Sequence, residues 1–248
     1  MSLLGKTALV TGGSRGIGRA ISQSLAEAGV YVVLTYHTRQ QAANDVVQSI
    51  ISAGGNAHAL QMTLESATSI TQTMQTAMHD GPVDILVNNA AITQEKPFLD
   101  LTSHDCLHMF ATNLIGPFLC CQAVLPHMMT QRWGRIINLA SIGGQWPATR
   151  QVHYGAAKAG IISLTRSLAR LYAAEGITVN AVSPGLVDTE MVAQELRSDA
   201  GQAKVAAIPL GRIAHVEEIA AVVVFLASDE ASYITGETVS VNGGMLCV

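Results

Sequence analysis

The chain has 248 residues, of which 49% are hydrophobic and 13% charged, with a net charge of −4 and a pI near 6.0. A charged fraction about half the usual ~25% excludes an intrinsically disordered chain, and the small negative charge gives no electrostatic reason to bind nucleic acid or an anionic membrane. The sequence shows no apolar run of the ~20 residues that span a bilayer, no signal peptide and no paired-cysteine motif, so we expect a reduced, cytoplasmic protein.

Short β-branched runs alternate with longer stretches of helical periodicity, which predicts a single α/β domain of Rossmann type over residues 1–248. About seven parallel strands would carry helices on both faces, and ligands would gather at the carboxyl edge of this doubly wound sheet. In chain order we expect a strand at Thr7–Val10, a helix at Ile17–Ala28, a strand at Val30–Thr35, a helix at Gln40–Ser52, a strand at Ala57–Met62, a helix at Ala67–Met78, a strand at Val83–Asn88, helices at Ser103–Ala111 and Asn113–Gln131, a strand at Arg135–Ala140, a helix at Val152–Ala174, a strand at Ile177–Val182, a helix at Val216–Ala227 and a strand at Thr238–Val241.

A glycine-rich turn follows the first strand. A pyrophosphate needs a tight turn, backbone that it can approach closely, and the free N–H groups of a helix N-terminus. A turn of this kind between a strand and a helix predicts a dinucleotide site. The residues that we expect to contact the cofactor here are Gly12, Ser14, Arg15, Gly16, Ile17 and Gly18.

Tyr154 and Lys158 are four residues apart on a predicted helix, so they share one face. A nearby ammonium favours a phenolate, and we therefore expect Lys158 to lower the pKa of Tyr154. Ser141 follows the fifth strand, where its hydroxyl could hold a carbonyl oxygen while Tyr154 transfers a proton.

These motifs together resemble the short-chain dehydrogenase/reductase family over essentially the whole chain, and most of all its 3-oxoacyl-[acyl-carrier-protein] reductase branch. The resemblance implies an NADPH-dependent oxidoreductase that reduces a ketone, most directly a 3-oxoacyl thioester, to a secondary alcohol. The segments that carry it are Thr11–Gly18, Asn88-Asn89-Ala90, Asn113, Ser141, Tyr154-x-x-x-Lys158, Pro184-Gly185, Gly211-Arg212 and the stretch from Phe225 to Gly244.

The resemblance also implies roles for individual residues. Asn113, Ser141, Tyr154 and Lys158 would be catalytic, with Asn113 binding a water that passes protons to Lys158. Lys158 would also bond the nicotinamide ribose. Substrate would touch Ser141, Gln151 and Tyr154, under a lid at about residues 186–200. Further cofactor contacts would come from His37, Arg39, Thr63, Leu64, Asn89, Ala90, Pro184, Gly185, Val187 and Thr189.

The end of the second strand indicates which nicotinamide cofactor is used. Sites for NAD usually place an acidic residue there to bond the adenosine ribose. The segment Leu34–Arg39 contains no Asp or Glu, and Arg15 and Arg39 could pair with a 2′-phosphate. We therefore expect NADPH to be favoured over NADH.

The substrate and its carrier stay open at this point. An acyl carrier protein is acidic and needs basic residues at the site entrance; Arg132 fits this need, but Glu175 stands where related reductases often have a second base. A CoA thioester, a polyketide intermediate, a sugar, another alcohol or a small carbonyl compound is also compatible, and a non-catalytic dinucleotide-binding regulator is a third class. No metal is expected, although His104, Cys106 and His108 are spaced as ligands could be. The resemblance further implies a homotetramer.

Overall fold

The structure is a computed structural model, which describes residues 3–79, 81–190, 192 and 198–247. Strands and helices alternate along it as the sequence predicts. The strands are β1 (Thr7–Val10), β2 (Tyr31–Tyr36), β3 (Asn56–Gln61), β4 (Ile85–Asn88), β5 (Gly134–Leu139), β6 (Ile177–Pro184) and β7 (Thr238–Val241). The helices are α1 (Gly16–Glu27), α2 (Gln40–Ser52), α3 (Ala67–Ala77), α4 (Ser103–Phe110), α5 (Gly116–Gln131), α6 (Val152–Tyr172), α7 (Asp199–Ala206) and α8 (Val216–Ala227).

The seven strands form one parallel sheet in the order β3-β2-β1-β4-β5-β6-β7. This confirms the predicted doubly wound α/β class. Side chains alternate between two cores because successive strand residues point to opposite faces. One core packs under α1, α2 and α8 around Val10 and Val87, and the other under α3 and α5 around Leu9 and Leu86. The order reverses between β1 and β4, which places a binding crevice at the carboxyl ends of these two strands.

Two helical regions differ from the prediction. The chain does not break near Ala111; residues Ala111–Ile115 form a π-helical turn that joins α4 to α5, so Ser103–Gln131 is one continuous helical stretch. Helix α7 was not expected from the sequence, because its apolar residues are few and small. Ser103–Gln131 is long and apolar enough to cross a membrane by length and composition alone, but half of its most apolar window is buried inside this fold.

Candidate active site

The predicted catalytic side chains meet where β5 ends and α6 begins. Ser141 starts a 3₁₀ turn at Ile142–Gly144, and its Oγ accepts a hydrogen bond from the Gly143 amide at 3.1 Å. This turn lies directly on α6: a Cβ atom added to Gly144 would come within 2.7 Å of the Lys158 carbonyl carbon. The absent side chain lets the turn lie close to Tyr154: a Cβ atom added to Gly143 would lie 3.6 Å from the Ser141 Oγ and 3.8 Å from the Tyr154 Cε1.

Lys158 lies one helical turn after Tyr154 and is 3% exposed. Its Nζ donates to the Leu139 carbonyl at 2.6 Å and lies 5.8 Å from the centre of the Tyr154 ring. Burial lowers the pKa of Lys158 to about 8, because an ammonium loses hydration there. Ser141, Tyr154 and Lys158 are thus brought together as the sequence predicts.

The predicted acidity of Tyr154 is not what this structure gives. Tyr154 is half-buried, and burial raises the pKa of its hydroxyl group. The hydrogen bond with Ser141 acts in the opposite direction and is the smaller effect. The expectation overlooked that Lys158 is itself desolvated and is directed to the Leu139 carbonyl.

Asn113 lies in the π-helical turn and is 1% exposed. Its side-chain amide clamps the backbone of Ile92: Oδ1 accepts from the Ile92 amide at 2.9 Å, and Nδ2 donates to the Ile92 carbonyl at 2.8 Å. Nδ2 also contacts the Met109 sulfur at 3.0 Å. The side chain is therefore engaged in holding the loop after β4. The expected contact of Asn113 with a water molecule stays a prediction.

The glycine turn after β1 fits a pyrophosphate. Gly12 and Gly16 have φ angles of +65° and +50°, in the left-handed region that favours glycine. A Cβ on Gly18 would come within 2.5 Å of the Asn89 side-chain nitrogen. Helix α1 begins at Gly16 with no side-chain cap and no acidic residue in its first turn, so its N-terminal amides can serve an anion. Ser14 and Ile17 belong to this turn and are half-buried.

Two threonines that we did not single out fix this turn. The Thr11 Oγ1 accepts from the amides of Asn89 and Ala90, both at 3.0 Å. The Thr35 Oγ1 accepts from the Gly12 amide at 3.2 Å. Asn89 also donates through Nδ2 to the Thr11 carbonyl at 2.9 Å. A hydroxyl residue at the end of each neighbouring strand was the available signal, but such residues are common in turns.

The residues that we expect to contact the adenosine half of the cofactor follow strands β1, β2 and β3. Arg15 and Arg39 approach each other through Glu190, whose Oε2 lies 3.0 and 2.8 Å from their guanidinium nitrogens. His37 is exposed, and its carbonyl accepts from Gln61 at 2.9 Å. The other two predicted residues follow β3. Thr63 is half-buried, with its amide donating to Ser69 at 3.0 Å, whereas the Leu64 side chain is buried in the core, which leaves only its backbone for a ligand.

The chain after β6 passes beside the glycine turn. Pro184 ends β6, and the Gly185 amide donates to the Val241 carbonyl at 3.0 Å. Val187 is buried and pairs with Ala214, while Thr189 lies against Gly16. Part of the expected lid at 186–200, namely Met191 and residues 193–197, lies outside the described residues. Gln151, the expected substrate contact, directly precedes α6, and its Nε2 donates to the Glu95 Oε1 at 3.4 Å.

Outside the site, two features bear on the open alternatives. Within the described ranges no group of three or more His, Cys, Asp and Glu side chains could hold a metal ion, and His108 bonds Glu65 at 3.0 Å.

Arg132 forms an ion pair with Glu175 at 3.0 Å and also donates to the Ala174 carbonyl at 2.7 Å. Arg132 precedes β5 and Glu175 follows α6, so within the chain both lie at the edge of the sheet opposite Ser141. The expected position of Arg132 at the site entrance is therefore wrong for a single chain, and Glu175 neutralises its charge.

Comparison with known sequences gives matches over the whole chain. Residues 12–246 match the family profile described as enoyl-(acyl carrier protein) reductase. A 3-oxoacyl-[acyl-carrier-protein] reductase from Aquifex aeolicus is 45% identical, covering 99% of each chain. The protein of the same name from Escherichia coli is 43% identical, covering 100% of both.

Solved structures agree with the fold. A protein provisionally described as an NAD(P)-dependent gluconate 5-dehydrogenase, from Beutenbergia cavernae and with bound NADP at low occupancy, superimposes with a TM-score of 0.94, 34% identity and 98% coverage of each chain. A blue fluorescent protein from a metagenomic library, in complex with NADPH, gives a TM-score of 0.93, 35% identity and complete coverage of both chains.

Proposed function

Because this chain belongs to the short-chain dehydrogenase/reductase family, we propose that it reduces a 3-oxoacyl thioester to the 3-hydroxyacyl thioester with NADPH. The observation that carries the proposal is that Ser141, Tyr154 and buried Lys158 lie together around the turn at Ile142–Gly144. This group lies at the carboxyl edge of the sheet, on the same side as the glycine turn. The relatives named as 3-oxoacyl reductases support the substrate class over their whole length.

Reduction of a ketone needs a hydride at carbon and a proton at oxygen. A dinucleotide whose pyrophosphate is bound at the glycine turn would supply the hydride from its nicotinamide. Tyr154 donates the proton from its hydroxyl, and its raised pKa keeps that hydroxyl protonated at neutral pH. Ser141 orients the substrate's carbonyl oxygen toward Tyr154. The side-chain amine of Lys158, which is partly charged, lies near the Tyr154 phenol as this phenol loses its proton. Asn113 fixes the loop that borders the site.

The same proposal assigns the dinucleotide to the predicted residues around β1, β2 and β6. The glycine turn and the uncapped start of α1 would bind the pyrophosphate. Arg15 and Arg39 would bind the 2′-phosphate, which favours NADPH over NADH. Bound NADP and NADPH in two structural neighbours support this choice. Gln151 and the segment after Gly185 would contact the substrate.

A panel of thioesters and cofactors tests this function. We expect the protein to oxidise NADPH with acetoacetyl thioesters, and more slowly with NADH. The decisive comparison is with a crotonyl thioester, because the matching family profile carries the name of an enoyl reductase. Hydride addition to the 3-oxo group puts the negative charge on the oxygen of the same carbon, where Tyr154 can protonate it. Hydride addition to C3 of a crotonyl thioester instead puts the charge on the thioester oxygen at C1, so the two substrates need different positions relative to Tyr154. Turnover of the crotonyl ester alone would contradict the proposal.

A second function is oxidation of a sugar acid or a secondary alcohol. The neighbour described as a gluconate 5-dehydrogenase favours it, as does the pairing of Arg132 with Glu175, which weakens a docking surface for an acidic carrier. The same panel separates the two, since this alternative requires reduction of NAD or NADP by gluconate or an alcohol while acetoacetyl thioesters stay unreacted. A neutral or CoA thioester in place of the carrier-linked one would fit the first function equally.

We also propose a cytoplasmic homotetramer. Large apolar side chains remain exposed on α4, the π-helical turn, α5 and α6, where they could pack between subunits. They include Leu107, Ile115, Phe118 and Leu171. Light scattering on the purified protein is expected to give four times the chain mass of 26.1 kDa. A monomeric mass would contradict this part of the proposal.

A further inference from the structure

Glu190 lies between the two arginines at the adenosine end of the proposed cofactor site. Its Oε2 accepts hydrogen bonds from Arg15 Nη1 at 3.0 Å and from Arg39 Nη1 at 2.8 Å. The side chains of Arg15, Arg39 and Glu190 are 52%, 53% and 62% exposed, so a ligand can reach all three. A single carboxylate oxygen thus bridges cations from the loops after β1 and after β2.

Backbone contacts direct Glu190 to this place. Val187 pairs with Ala214, and the Asp188 amide donates to the Ala214 carbonyl at 2.9 Å, so the chain after β6 is anchored just before the glutamate. Thr189 then passes over the glycine turn, where its Cγ2 would lie 3.4 Å from a Cβ on Gly16. The glutamate is therefore held across the mouth of the turn.

The charges of these three side chains allow a phosphate group to compete with the Glu190 carboxylate for the two arginines. The two arginines carry two positive charges, and the hydrogen bonds from Arg15 and Arg39 hold the pKa of Glu190 below its usual range, so it is ionised at neutral pH. A phosphate monoester carries about −1.5 to −2 charges at pH 7 and three acceptor oxygens. It satisfies two guanidinium groups better than one carboxylate oxygen does.

We propose that Glu190 is an internal counter-ion that competes with the 2′-phosphate of NADP(H) for Arg15 and Arg39, and so sets how strongly the enzyme distinguishes NADPH from NADH. The inference rests on the proposed function, since it requires the adenosine ribose to lie at these arginines. Glu190 supplies from the β6 side the carboxylate that the end of β2 lacks. A cofactor with a free 2′-hydroxyl can leave this carboxylate in place, whereas a 2′-phosphate must displace it.

Calorimetric titration with two adenosine ligands tests this role without turnover. Adenosine 2′,5′-bisphosphate carries the 2′-phosphate and adenosine 5′-monophosphate does not. We expect Glu190→Gln to tighten binding of the bisphosphate about two- to tenfold, the range for two exposed ion pairs, and to leave the monophosphate within about twofold. Glu27→Gln is the matched control, because Glu27 is an exposed glutamate at the far end of α1, about 17 Å from Gly16 along the helix axis.

Two outcomes overturn the role of Glu190: an unchanged ratio of the two dissociation constants in Glu190→Gln, or a ratio shifted toward the monophosphate. The double variant Arg15→Gln/Arg39→Gln, which lacks both arginines of this site, sharpens the result. We expect Glu190→Gln to have no effect on binding in that background. An equal gain in affinity there would also refute the competition. The wild-type ratio tests the cofactor assignment separately. A wild-type protein that does not prefer the bisphosphate contradicts NADPH preference, whatever Glu190 does.

Discussion

The Nζ of Lys158 donates a 2.6 Å hydrogen bond to the carbonyl of Leu139, the last residue of β5. This bond ties helix α6 to the carboxyl edge of the sheet and places a buried cation one helical turn from Tyr154. Burial is the cause of the lowered pKa of Lys158, so the fold stabilises the neutral amine relative to the ammonium. Burying the Lys158 side chain costs folding free energy, so a role in the reaction explains its position better than a contribution to stability does.

Replacing Lys158 with Met is therefore expected to stabilise the fold at pH 7 by about 1–3 kcal/mol. In the folded protein the pKa is about 8, against 10.5 in the unfolded chain. Between these values the unfolded chain binds more protons, so the wild-type free energy of unfolding rises with pH relative to that of Lys158→Met. The advantage of the variant should shrink by pH 10, as measured by denaturant unfolding at both pH values.

The control for this measurement is Arg166→Met, which removes an exposed cation from the same helix. It is expected to change the free energy of unfolding by less than about 0.5 kcal/mol at both pH values. An advantage of Lys158→Met that stays the same from pH 7 to pH 10 would contradict a lowered pKa for Lys158.

Ser141→Ala removes the hydroxyl that bonds Tyr154 and is expected to lower kcat about 10²- to 10³-fold, since a donor to the reacting oxygen is lost. Ser167→Ala is the matched control: its hydroxyl donates to the Ser163 carbonyl at 2.9 Å on the exposed side of α6. Steady-state kinetics with an acetoacetyl thioester give both values. Loss of activity in both variants would point to a damaged helix instead.

Gly144→Ala is expected to destabilise the protein by about 1–3 kcal/mol and to lower activity, because the added methyl meets the backbone of Lys158 and Ala159 at 2.7 and 2.9 Å. The neighbouring Gly143→Ala is the control, since its nearest atom would be 3.6 Å away. Neither glycine has a positive φ, so steric contact alone separates them. Equal melting temperatures for the two variants would refute the close contact between the 3₁₀ turn and α6.

The strand and helix pattern could be predicted from the sequence because the buried strands are uninterrupted apolar runs. Helices α2, α8 and strand β7 have the predicted bounds. The π-helical turn was missed because its i→i+5 hydrogen bonds have no sequence pattern that distinguishes the turn from a break between two helices. Helix α7 was missed because its residues Asp199–Ala206 bury little apolar surface.

At the site, the proximity of Ser141, Tyr154 and Lys158 could be predicted from sequence motifs, because these residues lie at or near the ends of a strand and a helix. Their electrostatics could not be predicted, because desolvation depends on packing by distant residues. The pairings of Glu190 with Arg15 and of Arg132 with Glu175 were missed for a related reason. Each joins residues far apart in sequence, and neither pairing has a local sequence signal.

Glu175→Gln frees Arg132 from its ion pair and tests whether an acidic carrier docks at this end of α6. We expect KM for an acetoacetyl group on acyl carrier protein to fall about two- to fivefold, because an unpaired guanidinium attracts the acidic carrier. KM for a small neutral acetoacetyl thioester should stay constant and serves as the control. Parallel changes for both substrates, or no change for either, would show that Arg132 does not meet the carrier.

The most direct test of the account is the turnover of Tyr154→Phe, which removes one hydroxyl group and keeps the ring. With NADPH and an acetoacetyl thioester we expect kcat to fall at least about 10²-fold, because the carbonyl oxygen loses its proton donor. NADPH should still bind, as followed by its fluorescence, because the glycine turn is untouched. A kcat within about threefold of wild type would contradict the role given to Tyr154.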